Sequence, residues 1–206
     1  MSDYLNKTEE QQFEEAKSWL KQNGMPILMA IILALAASAG WNFWKNHQVE
    51  VSQKTSASYQ QVMESYLQNP EKNTPLVEKF IADNQATSYA VFAQLEQAKQ
   101  LVDKQDFAVA KNVLNQAIAN TDDATLQNVI RFRLAAVEFQ LQQFDAALAT
   151  LAKIQDKAWD LRKQVFVGDI LAAKGDKEAA KSAYEQAKAN APENEHMLID
   201  IRLNNL

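Results

Sequence analysis

The 206-residue sequence has no cysteine and only four glycines, four prolines and two histidines. Without thiols there is no disulfide staple, no thiolate zinc site and no cysteine nucleophile. Three of the eight glycines and prolines, Gly24, Pro26 and Gly40, fall in or beside one apolar stretch. The remainder lacks the turn residues that a β-rich architecture requires, so the expected fold class is all-α. Positive charge is not concentrated either: 21 basic against 26 acidic side chains give a formal charge of −5, with no basic block able to follow a phosphate backbone. No nucleic-acid partner is expected. Gly24, Gly40, Gly168 and Gly175 cannot be assembled into a phosphate-cradling loop of either common spacing. His47 and His196 stand far apart with no ligand pattern around them, and Asp122-Asp123 after Thr121 reads as a helix start, not an acid/base pair. With no catalytic constellation, cofactor motif or metal site, a non-enzymatic protein is expected.

One long hydrophobic run is present. Between Lys21 and Lys45 lie 23 residues without a formal charge, and Met25 to Trp44 reads MPILMAIILALAASAGWNFW. About twenty residues at about 1.5 Å rise each cross a hydrocarbon core of about 30 Å. Pro26 is expected in the first turn of the span, where a missing N–H does little harm. Trp41, Phe43 and Trp44 crowd one end, as membrane-interface residues do. A cleaved signal peptide could use Ala37-Ser38-Ala39, but it would begin with a short basic region. Here Lys7, Lys17 and Lys21 are outnumbered by Asp3, Glu9, Glu10, Glu14 and Glu15. Three lysines before the span against Lys45 and Lys54 after it favour a cytoplasmic N-terminus by a narrow margin. Thr8 and Gln11 have the spacing of a capping box, and Phe13, Ala16 and Leu20 share a helical face, so the tail is expected to be a helix leading into the span.

The soluble part repeats. Asp106 to Leu114, Gln143 to Leu151 and Asp176 to Tyr184 superimpose. Each has a small residue (Ala110, Ala147, Ala180) and a bulky one four places later (Leu114, Leu151, Tyr184), at offsets of 37 and 33 residues. Twelve places before each alanine stands another small residue: Ala98, Ala135 and Gly168. Small residues at matched places in paired helices allow close approach, and the bulky residue fills the space beside them. The period and pattern resemble tetratricopeptide repeats, with Pro192 at the place of their terminal proline. Helical pairs are expected at about 91–124, 128–160 and 161–190, turning near Lys104-Gln105, Gln142-Gln143 and Lys174-Gly175-Asp176. A degenerate pair at 48–69 and 74–85 breaks at Asn69-Pro70. A capping helix is expected from Glu193 to Asn204, with Met197, Leu198 and Ile201 facing inward.

In such repeats the first helices line an inner groove. The candidate partner-binding residues are Phe92, Leu95, Lys99 and Val102; Val129, Phe132, Ala136 and Phe139; and Arg162, Val165, Asp169 and Ala172. With Lys99 and Arg162 as its only cations, this face suits a hydrophobic segment or an amphipathic helix better than a clamped terminal carboxylate. The competing reading is that Phe132 and Phe139 are core, packed under a neighbouring helix such as 48–69.

Gly40 to Val49 (GWNFWKNHQV) is similar to the segment with which YfgM-like proteins, ancillary subunits of the bacterial Sec translocon, leave the inner membrane. The resemblance extends to Leu95-Glu96 through Val102-Asp103-Lys104, to the turn at Lys174 to Lys177 with Ser182 to Glu185, and to the ending Leu203 to Leu206. It implies a cytoplasmic tail (1–24), a single inner-membrane span (25–45) and a periplasmic tetratricopeptide-like domain (46–206). The implied partners are the Sec translocon, a PpiD-type periplasmic chaperone and exported polypeptides, and the implied role is their hand-over. Two other readings stay open: a holding chaperone for emerging chains, and a cytoplasm-facing adaptor with the span reversed.

Overall fold

The computed structural model describes residues 8–206, all helix and connecting turns with no strand among them. The first seven residues of the expected tail, with Asp3 and Lys7, lie outside the described residues. Nine α-helices follow one another: α1 Glu9–Gln68, α2 Pro70–Asp83, α3 Ser88–Asp103, α4 Phe107–Ala119, α5 Ala124–Gln140, α6 Phe144–Ala152, α7 Asp160–Lys174, α8 Lys177–Asn190 and α9 Glu193–Asn204. Two compact units divide the chain between Lys54 and Thr55.

In the first unit, α1 opens with the Thr8 backbone N–H donating to Gln11 Oε1 at 3.2 Å, one half of the expected capping box. It contains the one described segment long and apolar enough to cross a membrane, with a mean hydropathy of 1.9 over eighteen residues and none of them buried by protein. Pro26 corrects an expectation. The helix begins at Glu9, so Pro26 is an interior residue, and Gln22 loses the N–H that its carbonyl would accept from. The rings of Trp41 and Trp44 lie 5.3 Å apart on the exposed surface.

In the second unit the pairs α3/α4, α5/α6 and α7/α8 form the three repeats. Ala98, Ala110, Ala135, Ala147, Gly168 and Ala180 are all buried, as are Leu114, Leu151 and Tyr184. At Gly168 a Cβ would run into the ring of Tyr184, so glycine there is required by the close approach of α8. The three intra-repeat turns share one motif. Asp106 N–H donates to Leu101 C=O and Gln105 N–H to Val102 C=O, and the same pair of bonds recurs at Gln143/Gln142 and at Asp176/Gly175. This leaves Gln105, Gln142 and Gly175 in the left-handed region, at φ of 62°, 58° and 91°. Side-chain caps begin the next helices: Asp106, Asp123 and Asp176 each accept a backbone N–H three residues on, Asp123 thereby starting α5 as expected. Asn69 caps α2 at the expected Asn69-Pro70 break.

Four clusters of buried side chains run along the repeats. The last one corrects the expectation for α9. Met197, Leu198 and Ile201 are 70%, 54% and 50% exposed, and Ile199 is the buried residue, with Leu203 and Leu206 packed beside it. Ile199, Leu203 and Leu206 form an apolar stripe of their own at helical spacing, and it is this stripe that packs, with ion pairs from Arg202 to Asp169 at 2.8 Å and from Asp200 to Lys188 at 2.5 Å beside it.

Candidate functional site

The first helices of successive repeats place their apolar stripes side by side, and two depressions result. One, of about 280 Å³, lies between α3 and α5 and includes Leu95, Ala98, Lys99, Val102 and Arg133. The other, of about 360 Å³, lies between α5, α7 and α9 and includes Phe132, Arg162, Val165, Leu198 and Arg202. Ala136 belongs to both walls, so the two form one groove.

The candidate residues distribute unevenly over it. Leu95 and Lys99 lie in the first depression, and Phe132, Arg162 and Val165 in the second. Phe92 is drawn into an aromatic group with Tyr59 of α1 and Tyr89, at centroid distances of 6.5 and 6.4 Å. Phe139 packs against Phe144 and Phe166, at 5.9 and 5.8 Å, beneath the groove and not in its lining. Phe132 stacks on Trp159 and Phe166, both at 5.5 Å, and still lines the second depression. Val129 is half-buried on α5 and lines neither depression. Of the remaining groove candidates, Val102, Ala136 and Asp169 line it, and Ala172 packs into the last core cluster.

Electrostatics separates floor from rim. Asp169 Oδ1 accepts from the Tyr184 hydroxyl and from Arg202 Nε, both at 2.8 Å, which joins α7, α8 and α9 at the edge of the second depression. Burial, and after it this bond to Asp169, pushes the Tyr184 phenol far above its ordinary range, with Arg202 pulling weakly the other way. Arg133 and Arg162 are exposed and have no hydrogen-bond or ion-pair partner among the described residues. Two contributions escaped sequence reasoning. The α9 wall, with Leu198, Ile199 and Arg202, is absent from the groove candidates, although Ile199, Leu203 and Leu206 recur at the helical spacing that marks its buried side. Glu138 is buried, takes the Thr150 hydroxyl at 2.7 Å and pairs with Lys111 at 3.1 Å, fixing α4, α5 and α6 behind the groove. In sequence it reads as an ordinary solvated glutamate. Among the described residues no group of acidic or histidine side chains is placed to hold a metal ion, and His196 Nε2 lies 3.0 Å from the Ala191 carbonyl.

Residues 17–206 match the family model of a tetratricopeptide repeat-like domain. The chain is 42% identical over 198 residues to a protein of Aggregatibacter actinomycetemcomitans, covering 96% of this chain and 97% of that one. It is 36% identical over 203 residues to a protein of Escherichia coli, covering 98% of each. Both are called ancillary SecYEG translocon subunit. The chain belongs to this ancillary translocon subunit family. The fold likeness reaches further than the family. The tetratricopeptide-like repeats of a putative kinesin light chain from Podosopora anserina superimpose with a TM-score of 0.55 at 15% identity, over 73% of this chain and 83% of that one. At that identity the likeness concerns the fold alone. For a member of the ancillary-subunit family, a repeat scaffold with an apolar groove points to an adaptor role. Its exposed apolar helix fits a membrane-anchored protein.

Proposed function

We propose that the chain is a membrane-anchored interaction scaffold of the Sec translocon that helps pass secreted proteins to periplasmic chaperones. Residues 1–24 are its cytoplasmic tail, 25–45 its span, with Trp41, Phe43 and Trp44 at the membrane interface, and 46–206 its periplasmic domain. The observation that carries this reading is the full-length match to ancillary translocon subunits, at 42% identity over 96% of the chain, the apolar segment included. The partners are the translocon, a PpiD-type chaperone and exported polypeptides. Partner contact is assigned to the groove, chiefly Leu95, Lys99, Phe132, Arg162 and Val165, with Phe92, Val129 and Phe139 supporting its shape. Anchoring beside the channel converts partner capture into a local event, so modest affinity at the groove suffices.

Photoreactive residues placed at Lys99 and Arg162 of the full chain test it in cells. Adducts to a PpiD-type chaperone or to exported chains are expected from both, and none from Lys181 on the exposed side of α8. Adducts from neither groove position while SecY still co-purifies would reject the groove. Loss of SecY from the wild-type preparation would reject the translocon role itself.

A further inference from the structure

The groove floor, built by Leu95, Ala98, Val102, Ala136 and Val165, offers hydrocarbon and no hydrogen-bonding side chains. An extended segment laid on it would bury its own N–H and C=O groups without partners, whereas a helix satisfies them internally. The occupant that fits this floor is an amphipathic helix. The rim decides its charge. On a chain with a formal charge of −5, the groove is edged by Lys99 on α3, Arg133 on α5 and Arg162 on α7. Arg133 and Arg162 have no partner among the described residues, and Lys99 has only an exposed contact to Glu96 at 3.4 Å. Of the acidic side chains lining the groove, Asp169 is engaged by Tyr184 and Arg202, which leaves Glu195 at the α9 end. Four helices, α3, α5, α7 and α9, cross beneath the groove.

We infer that the groove takes an acidic amphipathic helix of a partner protein. Its apolar stripe lies on the floor and its glutamates and aspartates face Arg133 and Arg162. The inference rests on the reading of this groove as the partner site and adds the chemistry of what enters it. Leu198, exposed on α9, extends the floor at the far end.

The test uses the full-length protein in detergent and fluorescent peptides of about 18 residues sharing one leucine-alanine stripe, flanked either by glutamates or by lysines. Binding is read by anisotropy against empty micelles. The glutamate peptide is expected to bind about tenfold tighter than the lysine peptide, with the preference shrinking between about 50 mM and about 500 mM salt. The double reversal R133E/R162E is expected to invert the preference while helicity and melting stay unchanged. A glutamate peptide broken by two prolines is expected to lose binding. Equal binding of the two charged peptides, an unchanged preference in the double reversal, or full binding of the proline peptide would each overturn the inference. Co-purification of SecY with the same wild-type protein keeps the two levels apart: retained SecY with no peptide preference overturns the helix assignment alone, and absent SecY overturns the reading beneath it.

Discussion

Gly168 and Tyr184 show how little room separates paired helices. A methyl group at Gly168 meets the Tyr184 ring, which is itself fixed by its bond to Asp169. In an open helix, glycine to alanine would gain about 1 kcal/mol, but overpacking costs about 1–3 kcal/mol, so crowding wins. Gly168→Val, which adds branching, is expected to destabilise the repeat domain by about 3 kcal/mol in urea denaturation. Gly175, where nothing crowds an added Cβ, should tolerate alanine at the smaller cost of the left-handed backbone, about 1 kcal/mol. The tyrosines supply a pH prediction. Burial raises the phenols of Tyr59, Tyr66 and Tyr184 above their ordinary value. The folded state therefore holds these protons more tightly than the unfolded chain. Their contribution to stability is complete below about pH 10 and is lost as pH rises through the raised folded values. Denaturation at a series of pH values should show stability falling above about pH 10, less steeply in Tyr184→Phe.

Helix pairs and their turns were largely legible before the structure. Small and bulky residues recur at fixed offsets, and buried positions obey that spacing because helix-to-helix distance depends on side-chain size. What escaped was the rotation of α9, since Met197, Leu198 and Ile201 form its more apolar pattern and yet face outward. The buried side is Ile199, Leu203 and Leu206, a second stripe at helical spacing that competes with the first in the sequence. The placing of Phe139 among Phe144 and Phe166 was equally hidden, because an apolar stripe on a first helix looks the same whether it lines a groove or packs beneath it. The shared turn motif leads to a gain in stability. Gln105 and Gln142 occupy the conformation that Gly175 adopts in the third repeat. Relief of the left-handed strain, about 1–2 kcal/mol, exceeds the entropy cost of glycine in the unfolded chain, about 0.5–1 kcal/mol. Gln105→Gly and Gln142→Gly together are expected to raise the melting temperature by about 2–5 °C. The buried pair behind the groove behaves in the opposite way. Lys111→Met leaves Glu138 with only the Thr150 hydroxyl and should cost about 3 kcal/mol, whereas adding Glu138→Leu and Thr150→Val, which removes the whole buried polar set, should recover most of it in urea denaturation.

At the scale of the whole molecule, an apolar helical segment and a repeat scaffold are joined in one chain, and the family to which it belongs takes its name from the translocon. Neither the segment nor the scaffold carries a direction, since hydrocarbon is the same from both sides and the lysine asymmetry is narrow. The proposed role depends on that direction, because a scaffold that receives exported chains has to stand where they emerge. Protease accessibility of a C-terminally tagged protein tests this most directly, in intact cells, spheroplasts and detergent lysate, with a cytoplasmic protein followed in parallel. The account predicts that the repeat domain is digested in spheroplasts while the cytoplasmic protein survives. Survival of both until lysis, followed by digestion of the domain, would place the repeats in the cytoplasm and contradict it.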